Sequence, residues 1–197
     1  MKTELGPTDI FFPVPAALIV SGTIEHPNIA TIAWAGMVSS TPPTVGVSFD
    51  QRRYSLDLIR KTKEFTLNIP RAEHYRETDY CGLVSGRKTK KFETTGFTAI
   101  PGRQIQTPII KECPFNLECR VTGEVELGDY RLVLGKVVNT RIDSDKVRIV
   151  DNRPMIDIVQ VNPLVYCATI REYWNLGGKL GDAFKAGKEL LSQNREG

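Results

Sequence analysis

The sequence predicts a mostly β protein whose strands form a closed or nearly closed barrel, with short peripheral helices and a C-terminal helix. Short apolar stretches recur along the chain and end in Gly, Pro, Asn or Asp, which is typical of strands separated by turns. Helical spacing is found in few places, and a barrel protects the edges that so many short strands would otherwise expose. With 197 residues, 41% of them hydrophobic, the chain predicts one domain with a substantial core.

Strands dominate the first fifty residues. The stretch 16–23 predicts a buried strand, turn residues at 25–28 follow it, and 29–38 predicts a second strand, so the three segments form a β-hairpin. Two prolines, which cannot donate to a strand ladder, then interrupt the pattern. A third strand is predicted over the β-branched residues of 44–49.

The middle of the chain contains a short helix, a strand and a polar segment. The helix is predicted from Ser55, which can cap its N-terminus, to about Thr62, because apolar residues lie three positions apart. The stretch 65–69 alternates as a strand. Residues 73–91 are mixed and polar, which predicts helical turns and a functional surface loop around 85–87.

The last third of the chain begins with a long hairpin. Residues 116–126 and 131–142 alternate over their whole length and flank a Gly-Asp turn, and 164–170 predicts a last strand. After Gly178 the pattern predicts an amphipathic C-terminal helix. Its apolar and small residues recur at helical spacing at Leu180, Ala183, Phe184, Gly187, Leu190 and Leu191.

Composition argues against several classes of function. The net charge is only +3 at pH 7, which disfavours nucleic acid as a partner, and His26 and His74 are too far apart in sequence to favour a metal cluster. The four cysteines form no Cys-x-x-Cys pair, so we expect free thiols in a reducing cytoplasm. The apolar stretch 11–20 contains two prolines and predicts a core strand, not a signal peptide. No stretch reaches the ~20 apolar residues of a membrane helix.

The segment from Asn28 to Trp34 can present polar groups to a ligand. The strand period places Thr31 and Ala33 on one face and Asn28, Ile32 and Trp34 on the other. Hydroxyl, amide and aromatic groups at a strand end can bind a flat heterocycle. A turn Asn, a β-favouring Thr and a core Trp would give the same pattern, so the motif alone leaves both interpretations open.

Two cationic segments can bind a phosphate. Ser48, Arg53 and Ser55 lie where a strand gives way to a helix, and unpaired backbone N–H groups there favour an anion. The residues of a second basic loop are Ser85, Gly86, Arg87 and Lys91. Taken singly, each segment is equally explained by a helix cap and ordinary solvated cations. The two loops together favour a phosphate site.

Several catalytic motifs are missing from the sequence. Neither Gly-x-Gly-x-x-Gly after a strand nor Gly-x-x-x-x-Gly-Lys-Ser/Thr occurs, which disfavours a doubly wound dinucleotide domain and a nucleoside triphosphatase. No Gly-x-Ser-x-Gly is present, and nothing around the cysteines indicates a nucleophile. We therefore assign no catalytic side chain.

In their order and spacing, these residues resemble the flavin reductase-like, FMN-binding split-barrel proteins and, within that family, the flavoredoxin-type members. The resemblance covers most of the chain. The segments that match are Asn28-x-x-Thr31-x-Ala33-Trp34, Pro42-Pro43, Val47-Ser48-Phe49, Tyr54-Ser55, Phe65-Thr66-Leu67-Asn68, Ser85-Gly86 with Lys91-Phe92, and Tyr173-Trp174.

The resemblance implies a six-stranded Greek-key split barrel, a homodimer, and FMN held non-covalently near the subunit interface. The flavin would perform the chemistry, so neither a catalytic residue nor a metal is implied. The cofactor-binding residues implied are Asn28, Thr31, Ile32, Ala33, Trp34, Ser48, Phe49, Asp50, Arg53, Tyr54, Ser55, Ser85, Gly86 and Lys91.

The resemblance also implies individual roles. Thr31, Ala33 and Trp34 would line the flavin, with the backbone of 48–50 near the ring edge, and the basic loops would hold the phosphate. The loop around residue 90 is crowded with Lys88, Lys90 and Lys91, and of these Lys91 fits the phosphate best. The residues implied to bind substrate, over the ring or on the nicotinamide side, are Tyr173 and Trp174.

Four functions are compatible with the sequence. One is an FMN-dependent oxidoreductase with NADH or NADPH as donor, and another is a flavoredoxin-like electron carrier that serves a redox protein partner without nicotinamide activity. A barrel that binds single-stranded nucleic acid is disfavoured by the modest charge. A purely structural barrel would tolerate the loss of Arg53 or Lys91. Under both flavin hypotheses, the same loss would weaken FMN binding.

Overall fold

Antiparallel strands make up most of the regular structure in residues 1–188, the part of the chain that the computed structural model describes. The strands, in chain order, are β1 Val14–Pro15, β2 Ala17–Gly22, β3 Pro27–Ile32, β4 Ala35–Ser40, β5 Pro43–Asp50, β6 Glu64–Ile69, β7 Ala99–Ile100, β8 Ile109–Ile110, β9 Phe115–Leu127, β10 Tyr130–Ile142, β11 Val147–Val150, β12 Arg153–Ile156, β13 Val165–Cys167 and β14 Glu172–Trp174. The α-helices are α1 Tyr54–Thr62, α2 Tyr75–Leu83, α3 Lys91–Thr95 and α4 Ile158–Val161. Short 3₁₀ turns are Ala72–His74, Ser144–Lys146 and Ala186–Lys188.

Seven strands form the main sheet, in the order β3-β2-β6-β9-β10-β5-β4. The predicted long hairpin is β9 and β10, paired from Phe115 opposite Ile142 to Leu127 opposite Tyr130. The mostly β prediction is confirmed. The sheet contains seven strands where the resemblance implied six, since the segment predicted as one strand over 29–38 is split into β3 and β4.

The two edge strands of this sheet, β3 and β4, are consecutive in the chain and are linked by Ala33 and Trp34 alone. The sheet therefore curls until its edges approach each other at this link. Within residues 1–188 no ladder joins β3 to β4, so the barrel is split rather than closed. This split corner is where the ring-binding residues were predicted.

The inner face of the curled sheet encloses the main core. Large fully buried side chains such as Phe49 and Phe65 meet Leu56 and Ile59 of α1 there. Gly135 of β10 permits this packing, because a Cβ at that position would lie 2.4 Å from Cζ of Phe65. A second cluster, on the outer face of β2 and β3, is made by Leu18, Val20, Ile29, Cys81, Phe97, Ile110 and Cys113.

Several predicted element bounds are wrong. Phe11 and Phe12, predicted to begin a core strand, are exposed, and the first strand begins at Val14. The last strand, predicted over 164–170, covers only Val165–Cys167, because the chain turns back at once to pair with β14. The β11–β12 hairpin was not predicted.

The helix predictions need two corrections. The N-cap of α1 is Arg53, without a side-chain cap, and the hydroxyl of Ser55 instead accepts a hydrogen bond from Nδ2 of Asn28. The predicted C-terminal helix does not form over 178–185, where Leu180 and Phe184 are fully exposed, so burial of an apolar face does not stabilise a helix there. The part of that prediction on Leu190 and Leu191 lies outside the described residues.

Candidate functional site

A cavity of about 290 Å³ lies at the split corner of the sheet. We call it the ring cavity. It is lined by Ala16, Thr31, Ile32, Ala33, Trp34, Ser48, Asp50, Arg53, Gly82, Tyr130, Tyr166 and Tyr173. The fold brings these residues together because β3, the Ala33–Trp34 link and the end of β5 converge there, with α2 and the β10 hairpin on either side.

Aromatic rings form the walls of the ring cavity. Trp34 packs against Tyr130 with ring centroids 5.0 Å apart, and Tyr166 packs against Tyr173 at 5.4 Å. The Tyr173 hydroxyl donates to Oδ1 of Asp79 at 3.1 Å. Burial, and then the neighbouring Asp79 carboxylate, raise the pKa of Tyr173 far above its ordinary value, so this hydroxyl stays protonated.

Hydrogen bonds fix the polar side of the same cavity. The backbone N–H of Ser48 donates to the carbonyl of Trp34 at 2.9 Å, which holds the link against β5. The hydroxyl of Thr31 donates to the carbonyl of Thr78 and so ties β3 to α2. These bonds hold the Ala33–Trp34 link and α2 in place around the cavity.

A second cavity of about 290 Å³, which we call the basic cavity, lies beside the first. It is lined by Asn28, Ala30, Asp50, Arg52, Arg53, Tyr54, Ser55, Leu83, Val84, Ser85, Gly86 and Lys91. Asp50 and Arg53 line both cavities, so the two are adjacent, and we refer to them together as the cleft. One end of this cleft is aromatic and the other is cationic.

Arginines at the junction of the two cavities are held in place. Nη1 of Arg53 donates to the carbonyl of Gly82 at 3.3 Å. The side-chain Nε and backbone N of Arg52 both donate to Oδ1 of Asp50 at 2.9 Å. These donors hold the pKa of Asp50 well below its usual range, so the carboxylate is ionised and Arg52 is already paired.

Gly86 and Asn28 form a close contact in the basic cavity. Nδ2 of Asn28 donates to the hydroxyl of Ser55 at 2.7 Å, which fixes the amide. A Cβ at Gly86 would lie 1.8 Å from Oδ1 of Asn28, which is too close for two non-bonded atoms. Glycine is therefore the residue that fits this position. The loop also packs on α1, since Arg87 pairs with Asp57 and stacks on the Tyr54 ring at 4.9 Å.

Lys91 is the buried cation of this cavity, with 4% of its surface exposed. Its Nζ donates to the carbonyls of Ile29 and Cys81, both at 2.7 Å. Burial lowers the pKa of Lys91 to about 8. The lysine therefore carries its charge at pH 7, in a place where an incoming anion would meet little competing solvent.

Most of the predicted site residues line this one cleft, although they come from four separate parts of the chain. Phe49 is fully buried in the core, so only its backbone can face the cleft. Trp174 is 54% exposed on β14 and lines neither cavity, whereas its neighbour Tyr173 does. The cleft residues that sequence analysis missed are Ala16, Ala30, Arg52, Gly82, Leu83, Val84, Tyr130 and Tyr166.

Within residues 1–188, no group of three or more His, Cys, Asp or Glu side chains is arranged to hold a metal ion. In the same range no helix is both long and apolar enough to span a membrane.

Comparisons with known proteins agree with this geometry. Residues 10–173 match the family described as flavin reductase like domain. The flavoredoxin of Desulfovibrio vulgaris (Miyazaki F) is 31% identical, with 95% of this chain and 100% of that chain covered and a TM-score of 0.88. The flavoredoxin from Methanosarcina acetivorans is 30% identical, with 96% and 100% covered and a TM-score of 0.86. A protein of Archaeoglobus fulgidus is 37% identical over 131 residues, which are 66% of this chain and 73% of that protein.

Proposed function

The chain belongs to the flavin reductase-like domain family, and we propose that it is an FMN-binding oxidoreductase that passes electrons from a nicotinamide or protein donor to an acceptor. The single observation that supports this most is the cleft of two adjacent cavities, with aromatic walls at one end and cations at the other. FMN has the matching shape, a flat ring joined by a polar chain to a phosphate dianion.

The residues present fit this cofactor. At the cationic end, Arg53 and Lys91 are suited to the phosphate, because charge-assisted hydrogen bonds to a dianion are strong. Gly86 leaves room where any side chain would collide with Asn28. At the other end Trp34 and Tyr173 offer the flat apolar surfaces that a ring system needs.

When bound, FMN supplies hydride and single-electron chemistry of its own. The chain then has to bind the ring, orient it and limit access of water to it. The protonated Tyr173 hydroxyl, paired with Asp79, fixes one wall of the ring cavity and does not need to transfer a proton. The chain therefore needs no general base.

The deciding experiment measures FMN retention. The purified protein is incubated with FMN, separated from free ligand on a sizing column, and its visible absorbance is recorded. We expect about one FMN per chain, since the cleft has one aromatic end for the ring and one cationic end for the phosphate. A colourless protein would overturn the proposal and leave only a shared fold.

A second candidate, a flavoredoxin-like carrier without nicotinamide activity, is favoured by the similarity to two flavoredoxins over almost the whole chain. Steady-state oxidation of NADH and NADPH with an electron acceptor separates the two. Turnover with either nicotinamide selects the reductase. Reduction by a ferredoxin-type protein together with no nicotinamide turnover selects the carrier.

Replacing Arg53 with Gln tests the phosphate end of the cleft. We expect FMN affinity to fall by about 1–3 kcal/mol, the scale of a charge-assisted hydrogen bond. Arg60→Gln is the matched control, because Arg60 lies on the neighbouring helix α1, pairs with Glu124 and lines neither cavity. Dissociation constants from flavin fluorescence titration check this, and equal values for the two variants would contradict the assignment of Arg53.

A further inference from the structure

A third cavity, of about 370 Å³, lies beside the ring cavity. We call it the α2–β14 cavity, since Tyr75, Arg76, Asp79 and Tyr80 of α2 line it together with Arg171 and Tyr173 around β14. Tyr173 lines both this cavity and the ring cavity. A ligand in the α2–β14 cavity therefore lies directly beside the ring site.

The two arginines of this cavity have no anionic partner among residues 1–188. Arg76 and Arg171 make neither an ion pair nor a side-chain hydrogen bond there, whereas Arg52, Arg60 and Arg87 each pair with a carboxylate. The Cζ of Arg76 lies 5.3 Å from the centre of the Tyr75 ring, which orients the guanidinium by stacking.

The charge of the cavity is positive on balance. Asp79 is the carboxylate that lines it, and Oδ1 of Asp79 already accepts the hydroxyl of Tyr173. The cavity thus contains two guanidinium groups and one carboxylate, and one oxygen of that carboxylate already accepts a hydrogen bond. Tyr75 and Tyr80 add flat aromatic surface to the same cavity. Unpaired guanidinium groups next to aromatic rings suit a ligand that has both a phosphate and a planar base.

We propose that the α2–β14 cavity binds the adenosine phosphate half of a nicotinamide dinucleotide donor, with Arg76 and Arg171 as the phosphate ligands. This inference rests on the proposed function. It assigns the donor an approach across Tyr173, from the adenosine half in the α2–β14 cavity toward the flavin ring in the ring cavity. Arg76 and Arg171 are then specificity-determining residues, and they do not take part in the chemistry.

These arginines have the chemistry to bind either of two groups of such a donor. One is the pyrophosphate, and the other is a 2′-phosphate on the adenosine ribose. They are distinguished with two probes, 5′-ADP and adenosine 2′,5′-bisphosphate, titrated calorimetrically into FMN-loaded protein. Tighter binding of the bisphosphate assigns the arginines to the 2′-phosphate, and tighter binding of 5′-ADP assigns them to the pyrophosphate.

The variants Arg76→Gln and Arg171→Gln test the two residues separately. We expect each to weaken probe binding by roughly tenfold or more, as for the loss of one charge-assisted contact, and to raise the KM for the donor while kcat stays near its original value. Arg153→Gln is the matched control, since Arg153 is exposed on β12, has no ion pair within residues 1–188 and lies outside this cavity. The FMN content of every variant is read from its visible absorbance.

The outcomes separate this inference from the function on which it rests. Wild-type protein that retains FMN but binds neither probe, or arginine variants that bind the probes like the Arg153 control, would overturn the donor site and leave FMN binding intact. Protein that cannot retain FMN would instead overturn the proposed function. Probe binding that only Arg76→Gln and Arg171→Gln weaken supports the proposal.

Discussion

We expect the Gly86→Ala variant to bind FMN more weakly by about 1–3 kcal/mol, which is roughly 5- to 150-fold. The added Cβ would lie 1.8 Å from Oδ1 and 2.7 Å from Cγ of Asn28. Asn28 cannot easily move aside, because it is only 6% exposed and its amide nitrogen donates a hydrogen bond to the hydroxyl of Ser55. The loop must therefore shift away from the cleft and take Ser85 with it. Flavin fluorescence titration measures the loss.

A second substitution shows whether the Asn28 contact is the cause. Asn28→Ala removes the atoms that collide with the new methyl group, so Gly86→Ala should cost much less affinity in that background than in the wild-type chain. Gly177→Ala is the matched control, because within residues 1–188 no atom beyond its own chain neighbours lies within 4 Å of a Cβ there. Equal costs of Gly86→Ala in both backgrounds would contradict the steric explanation.

The residues that line the cleft were predicted mainly from the family resemblance, because local pattern marked the segments but left their binding role open. Thr31 and Trp34 lie at a strand end, and Arg53 lies where a strand passes into a helix, so pattern and turn chemistry mark their positions. Local pattern also predicted the β9–β10 hairpin, whose long alternation is unambiguous. These features depend on neighbours close in sequence.

The missed residues depend on contacts between distant parts of the chain. Tyr130 belongs to a turn and reaches the site only because β10 pairs with β5. Gly82 looks like any helical glycine until α2 packs on β3. Glu118 lies in an alternating strand, yet it is fully buried, and its carboxylate accepts hydrogen bonds from the backbone N–H groups of Arg103 and Gln104.

The homodimer and the cytoplasmic location stay predictions.

Lys91→Met should weaken FMN binding by about 1.5–3 kcal/mol, or roughly 10- to 150-fold, because it removes a buried cation from the cationic end of the cleft. Two neighbours in the same loop are controls. Lys88 lines neither the ring cavity nor the basic cavity, and Lys90 pairs with Glu93 at 2.9 Å. Lys88→Met and Lys90→Met should keep the original affinity. A larger loss in either control would move the phosphate contact from Lys91 to that lysine.

The lowered pKa of Lys91 gives this prediction a pH signature. Between about pH 8 and the ordinary value of 10.5, the folded chain has released a proton that the unfolded chain still holds, so the contribution of Lys91 to stability rises with pH through this window. The affinity for FMN should change with pH in the opposite direction. A phosphate beside Lys91 favours its charged form, so binding takes up a proton above pH 8 and affinity falls as pH rises, by at most about tenfold per pH unit.

The pH dependence identifies Lys91 through two variants measured between pH 7 and 9.5. Lys91→Met has no amine to titrate, so its weak affinity should not change with pH in this range. Lys91→Arg keeps a charge that does not titrate there, so it should bind FMN with a flat profile and more tightly than Lys91→Met. If Lys91→Met loses affinity above pH 8 as steeply as the wild-type protein, another group is responsible and Lys91 is not the phosphate ligand.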